Sequence, residues 1–360
     1  MSADKNDLRK VDLFSFTGVG FLIAVTANPF FYKTIFEILV GTLIYGFIFL
    51  KRGYTVQLEF FYVLLFILAI QVGQSITAVP IPIITLLGLH LRFFLAYFVI
   101  RLIKADFFQT VIRVVYIFAL IAVPIYIISS IFPSIVDFVI TDIKPWLQPP
   151  FLEPSKYRTH ILVYDFSNFD IIRFGNFRLN SGWYWEPGAN AIFLNFALFL
   201  NLFLNKKIFT RVNLVLIFSI LTTFSTTGYI GFFFVMISFL IFGINQKALG
   251  IFLLVPITVL IIFMYSGLEF VGNKLSDDIA MRNETYSNGS RFQSFLYDFD
   301  TFTKYPLFGH DDFIEFTTWK WELHRNNGVG VLLASYGIFA FLIYFELFAL
   351  YIFLYILENF

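Results

Sequence analysis

The sequence predicts an all-α fold: a polytopic helical membrane protein with about ten transmembrane helices and two large outer-face loops, forming one integral membrane domain over residues 1–360. Three observations carry this. First, 59% of the 360 residues are hydrophobic and only 14% are charged, whereas a soluble domain is typically about half apolar and a quarter charged. Second, apolar stretches of roughly 18 residues or more, enough to cross a bilayer, recur from end to end. Third, basic residues gather in alternate short connections, as the positive-inside rule requires. Composition also excludes whole classes of function. With no Cys there are no disulfides, thiolate nucleophiles or Cys-based metal sites. A net charge of +1 offers no basic surface for nucleic acid.

The opening MSADKNDLRK is polar and mixed in charge, and reads as a short cytoplasmic tail rather than a cleavable signal. Five spans follow near 12–30, 34–50, 58–76, 84–103 and 108–131. Five more lie near 188–205, 210–225, 229–244, 248–266 and 337–357. With this count Lys5, Arg9 and Lys10, then Lys51 and Arg52, then Arg101 and Lys104, then Lys206, Lys207 and Arg211, then Lys247 share one side, the cytoplasmic one. The short outer turns NPFFYK and AVPIP are nearly free of basic residues.

Two long polar segments, roughly 132–187 and 267–336, fall on the outer face. Loops of this length are functional or disordered, and their Trp, Tyr and Phe content argues against disorder. THILVYDF and DIIRFGNF read as strands, predicting a small hairpin in the first loop. LHRNNGVGVLLASYG reads as a short helix packed on the membrane before Gly337 opens the last span.

The loops collect ionisable residues of mixed sign, among them Arg173, Arg178, Glu186, Arg291, His324 and Arg325. A guanidinium fork suits phosphate or carboxylate, and a loop Arg is otherwise a solvated charge or a headgroup contact. In FRLNSGWYWEPG, Trp183, Tyr184 and Trp185 are either sugar-stacking platforms or members of the interfacial aromatic belt. Glu186 precedes Pro187 at a helix start. It is either an N-terminal cap favoured by the helix dipole or a general base held at a helix end. His324 is either a base working near neutral pH or one polar loop residue among many. The HDD run at 310–312 and the SDD run at 276–278 could bind a divalent cation, but paired loop Asp residues are more often solvated, and no metal is expected. His90 and Arg92 are the odd residues within an apolar stretch. Either that span begins near residue 90, or both side chains face an internal cavity. No nucleophile elbow, zinc-protease motif, phosphate loop or dinucleotide fingerprint is present.

These pieces, in this order, resemble the bacterial O-antigen polymerase and O-antigen ligase superfamily over residues from about 170 to 345. RFGNFRLNSGWYWEPGANA resembles that family's Arg- and Gly-containing first-loop end, followed by Glu-Pro and a membrane helix. FSTTGYIGF resembles its later small-polar segment. NGSRFQSFLYDFDTFTKYPLFGH resembles its second loop through Ser290, Arg291, Pro306 and Gly309. The chain departs from the family's His-Asn pair, because Arg325 stands between His324 and Asn326.

The resemblance implies an inner-membrane enzyme with periplasmic loops, acting on sugar repeat units carried on undecaprenyl diphosphate. Its partners would be membrane lipids and a chain-length regulator protein, with no cofactor. On this reading Glu186 and His324 are catalytic. Arg173, Arg178, Arg291, Arg325 and Arg92 hold the diphosphate, and Trp183, Tyr184 and Trp185 stack on sugar. The chemistry is coherent: a lipid-diphosphate leaving group needs cations, a sugar hydroxyl needs a base, and an activated donor needs no nucleotide site. The Glu-Pro-Gly form favours the polymerase branch, and His324-x-Asn326 favours the ligase. A transporter or flippase for the same lipid-linked sugars is the reading from another class; it would call for short loops, internal symmetry and mid-membrane charges.

Overall fold

The computed structural model describes residues 11–28, 35–77, 83–143, 160–161, 164–166, 172–174, 177–184, 186–243, 291–310, 330, 332–339 and 341–342. In chain order the helices are α1 (Leu13–Ala27), α2 (Ile35–Lys51), α3 (Leu58–Thr77), α4 (Ile83–Ile103) and α5 (Phe107–Ile131). A 3-10 turn, Lys104–Asp106, separates the last two. Next come α6 (Pro133–Phe138), with a π-helical turn Val139–Ile143, and four short strands. These are β1 (His160–Ile161), β2 (Tyr164–Asp165), β3 (Ile172–Phe174) and β4 (Phe177–Arg178). The chain then forms α7 (Pro187–Asn205), α8 (Arg211–Thr222), α9 (Thr226–Ser238) with a π turn Phe239–Gly243, and α10 (Arg291–Lys304).

Each of the first eight expected spans coincides with a described helix, and no end differs by more than three residues. The ninth lies outside the described residues, as does most of the tenth. Among the described residues three helical stretches are long and apolar enough to cross a membrane: Leu86–Ile131, Pro187–Asn205 and Thr226–Gly243. The first runs for 46 residues. A straight helix of that length would extend about 69 Å, more than twice a hydrocarbon core. Lys104 divides it: its backbone φ of 59° is left-handed and cannot continue a right-handed helix. The helices on either side of this turn, α4 from Ile83 and α5, have 21 and 25 residues, each of membrane length.

Local chemistry sets the other ends. Asp12 caps α1, its carboxylate accepting from the Ser15 amide (2.8 Å) and hydroxyl (2.7 Å), and these bonds hold it below the usual carboxylate range. Thr210 caps α8 and Ser225 caps α9 through their hydroxyls. Lys206 closes α7 in the left-handed conformation (φ 54°), placing positive charge at the negative end of the helix.

The residues form two compact units. The first comprises the described parts of Met1–Phe49 and Phe94–Val271. Here α5 packs against α1, α7 and α8, and α7 packs against α8 and α9. Val115, Leu194, Leu198, Leu216 and Ile220 are in its core. Asn195 of α7 donates to the Gly228 carbonyl of α9 (2.9 Å). Gly228 brings the two backbones close enough for that bond, since a Cβ there would press on Ala191. At the opposite end of α7, Asn201 donates to Asn213 of α8 (2.7 Å), and Asn213 in turn donates to the Lys207 and Ile208 carbonyls. The sequence predicted one small hairpin in the first loop; the described residues there form two. β1 pairs with β2, and β3 pairs with β4, each antiparallel within its own segment. The first rests on α5 and α6, where Tyr164 and Phe166 bury against Tyr126 and Val136.

The second unit comprises the described parts of Leu50–Phe93 and Gly272–Phe360. Its centre is a crossing of two backbones. Gly309 and Gly337 both have φ of 72°, and a Cβ on either would fall on the backbone of the other strand of chain, at Ser335 or Leu307. The His310 amide donates to the Ala334 carbonyl (2.7 Å) and the Ile338 amide to the Pro306 carbonyl (2.9 Å). Helical backbone at 332–339 therefore changes direction at Gly337, and Pro306-x-x-Gly309 is the partner it crosses.

Candidate functional site: the loop between β4 and α7

The segment joining β4 to α7 is built outward from Asn180, which is fully buried. The Asn180 amide donates to the Thr222 carbonyl (3.2 Å) and its Nδ2 to Thr222 Oγ1 (2.9 Å). Its Oδ1 accepts from the Gly182 amide (3.0 Å) and its carbonyl from Asn190 Nδ2 (3.3 Å). The bond from side chain to the amide two residues on makes an Asx turn. Gly182 completes that turn at φ 56°, where a Cβ would lie 2.7 Å from Asn190 Nδ2. The Gly182 carbonyl then accepts from the Asp165 amide (2.8 Å) in β2, and the Trp183 carbonyl from Asn28 Nδ2 (3.0 Å) at the end of α1. One loop thus ties together the ends of α1 and α8, the start of α7 and the first hairpin.

Trp183 and Tyr184 supply the apolar part of that anchor. Trp183 stacks on Phe118 of α5, with centroids 3.7 Å apart and planes 10° from parallel. Tyr184 stacks on Phe193 of α7 at 4.7 Å and 11°. Only 6% and 2% of these two residues are exposed. Both were expected as sugar platforms, yet each turns a ring face to a protein ring and is buried. The physical reason is area: an aromatic side chain buries about 150–250 Å², and these two rings seal the end of an apolar bundle. Trp185, the third expected platform, lies outside the described residues. Burial pushes the phenols of Tyr184 and Tyr164 well above their ordinary range, so both stay neutral donors.

Two ionisable side chains flank this anchor. Arg178 ends β4 opposite Ile172 and is half-buried. Glu186 takes the N-cap position of α7 with extended backbone (φ −151°, ψ 155°), and its carbonyl accepts from the Asn190 amide (3.1 Å). Its carboxylate makes no capping hydrogen bond, and the side chain is exposed. Glu186 therefore begins the helix through its backbone, while the carboxylate remains available at the positive end of a helix dipole. Arg173 lies on β3, the other strand of the hairpin that ends in Arg178.

The remaining expected site residues are distributed elsewhere. Arg92 and Arg291 belong to the second unit, and Arg291 opens α10. His324 and Arg325 lie outside the described residues, as do Asp311, Asp312 and the SDD run. Among the described residues no group of three or more His, Asp or Glu side chains could hold a metal ion. The His310 ring stacks on Tyr305 at 4.5 Å. Because α4 begins at Ile83, His90 and Arg92 lie about 10 and 13 Å along its axis. The helix thus begins ahead of both residues. His90 Nδ1 meets the Leu86 carbonyl (2.8 Å), and His90 Nε2 and Arg92 Nε are buried without hydrogen-bond partners among the described residues.

Asn28, Asn180 and Asn190, which with Thr222 hold the site together, were not singled out from the sequence. The available signal was Asn180-Ser181-Gly182, a turn-forming triplet immediately before an aromatic pair. Compared with known proteins, the chain matches no family model, no curated protein and no solved structure.

Proposed function

We propose that this chain is a multi-pass glycosyltransferase of the bacterial inner membrane. It would polymerise undecaprenyl-diphosphate-linked oligosaccharide repeat units of O-antigen or a related surface polysaccharide at the periplasmic face. The carrying observation is the anchored loop at 177–186, which sets a half-buried Arg178 and an exposed, uncapped Glu186 at the start of a 19-residue apolar helix. A lipid-linked donor keeps its diphosphate at the membrane interface. A fixed guanidinium there meets the charge that develops on the leaving diphosphate. A carboxylate at the same level accepts the proton of the attacking sugar hydroxyl. Arg178, with Arg173 on the other strand of the same hairpin, is assigned to the diphosphate and Glu186 to the base. Trp183 and Tyr184 are assigned to holding the loop.

One observation favours a second reading. Arg92 and His90 lie well inside an apolar helix, with buried nitrogens that have no partner among the described residues, and polar groups so placed are the kind that line a transport path. The test is the lipopolysaccharide of a deletion strain. A polymerase leaves single repeat units on lipid A core. Lipid-linked polymer with bare core would instead indicate a ligase, and repeat units trapped on the cytoplasmic leaflet a flippase.

A further inference from the structure

Beneath the anchored loop, between α5, α7, α8 and residues 180–184, lies a small cavity with ≈ 10 Å³ for the centre of a water molecule. That is about one water's worth of space and no more. Its lining is not uniformly apolar. Ser219 Oγ of α8 and the Tyr184 hydroxyl both border it, both residues are 2% exposed, and neither hydroxyl has a hydrogen-bond partner among the described residues. Asn180 and Asn190 also line it. Their described side-chain bonds are to the Thr222 side chain and the loop backbone, which leaves part of each amide's capacity unused by these bonds.

Buried hydroxyls are nearly always satisfied, because an unpaired one forfeits its hydration with nothing in return. An empty cavity of this size is stable when its walls are apolar, whereas polar walls draw in water that makes about three hydrogen bonds. We infer that this cavity is a specific site for one internal water, bonded by Ser219 Oγ and the Tyr184 hydroxyl and completed by an Asn amide. The water joins α8 to the aromatic anchor and so helps to fix the loop between Arg178 and Glu186. This site stands apart from the proposed reaction and would exist whatever the protein's substrate.

The experiment uses the full-length protein in detergent, with thermal unfolding of Ser219→Ala, Tyr184→Phe and the double variant. Each substitution removes one hydroxyl and little volume. If the water is present, each single variant leaves it underbonded and lowers the midpoint by about 2–4 °C, and the double variant loses less than the sum, because both act on one bridge. If the cavity is dry, each substitution removes an unsatisfied buried hydroxyl and the midpoint stays level or rises. A level or raised midpoint in either single variant overturns the inference. Density for one ordered solvent atom within hydrogen-bond distance of both hydroxyls, in an experimental structure that resolves waters, confirms it; a clear map with no density there overturns it.

Discussion

At the scale of single residues, Gly182 and Arg178 show how backbone and charge divide the work of the outer loop. Gly182 is required by geometry, with a left-handed φ and an Asn190 amide where a side chain would begin. Gly182→Ala should lose about 1–2 kcal/mol of stability from the left-handed backbone alone, with further loss from displacing Asn190. A midpoint equal to wild type in thermal unfolding would show that the turn relaxes freely. Arg178 is required for chemistry on the proposed reading. A bidentate fork holds two phosphate oxygens, and Lys keeps the charge without that geometry. A charge-assisted contact of about 3 kcal/mol that strengthens as the bond breaks corresponds to roughly a hundredfold in rate. Arg178→Lys should therefore impair polymer formation nearly as much as Arg178→Ala at equal protein level by immunoblot. A near-normal ladder from Arg178→Lys would reduce its role to diffuse attraction.

At the scale of elements, the helices were legible and the loop anchors were not. α3, α4, α5 and α7 lie within a residue of their expected limits at every end, because each is marked in the sequence by its own apolar run. The strands are two or three residues long, too short for alternation to show. Two-residue closures were the better signal, since Gly-Asn stands between Phe174 and Phe177. The roles of Trp183 and Tyr184 were not legible at all. An aromatic at a membrane interface has the same sequence whether it faces sugar or packs on Phe118, and only tertiary contact decides. That burial has a consequence in alkali. Tyr164 and Tyr184 have phenols raised above the unfolded value of about 10, so their contribution is fully present below about pH 10 and is lost as pH rises beyond it. Phenolate absorbance from these two tyrosines should appear only together with loss of tertiary structure. Tyr164→Phe and Tyr184→Phe should remove their share of that coupled signal. If these phenols titrate while the fold is intact, the anchor is more open than described.

At the scale of the whole molecule, the proposed sidedness rests on the basic residues. The ends of α1 and α8 and the start of α7 meet at Asn180–Trp183, and the charge count assigns all three to the outer face. Lys206 and Lys207 mark the other end of α7. Single Cys residues can be placed in this Cys-free chain without background. Cys at Ser155 or Ser287 should react with an impermeant thiol reagent in outer-permeabilised cells, and Cys at Lys51 or Lys206 should not; the reverse pattern would invert the architecture. The central claim is that this outer end transfers a lipid-linked oligosaccharide with Glu186 as base. The most direct measurement is elongation of purified undecaprenyl-diphosphate-linked repeat units by the purified protein, in EDTA, resolved as a ladder on a gel. The account predicts a ladder from the wild type and none from Glu186→Gln at equal protein level and unfolding midpoint. It is contradicted by a wild-type protein that elongates nothing, or by a full ladder from Glu186→Gln.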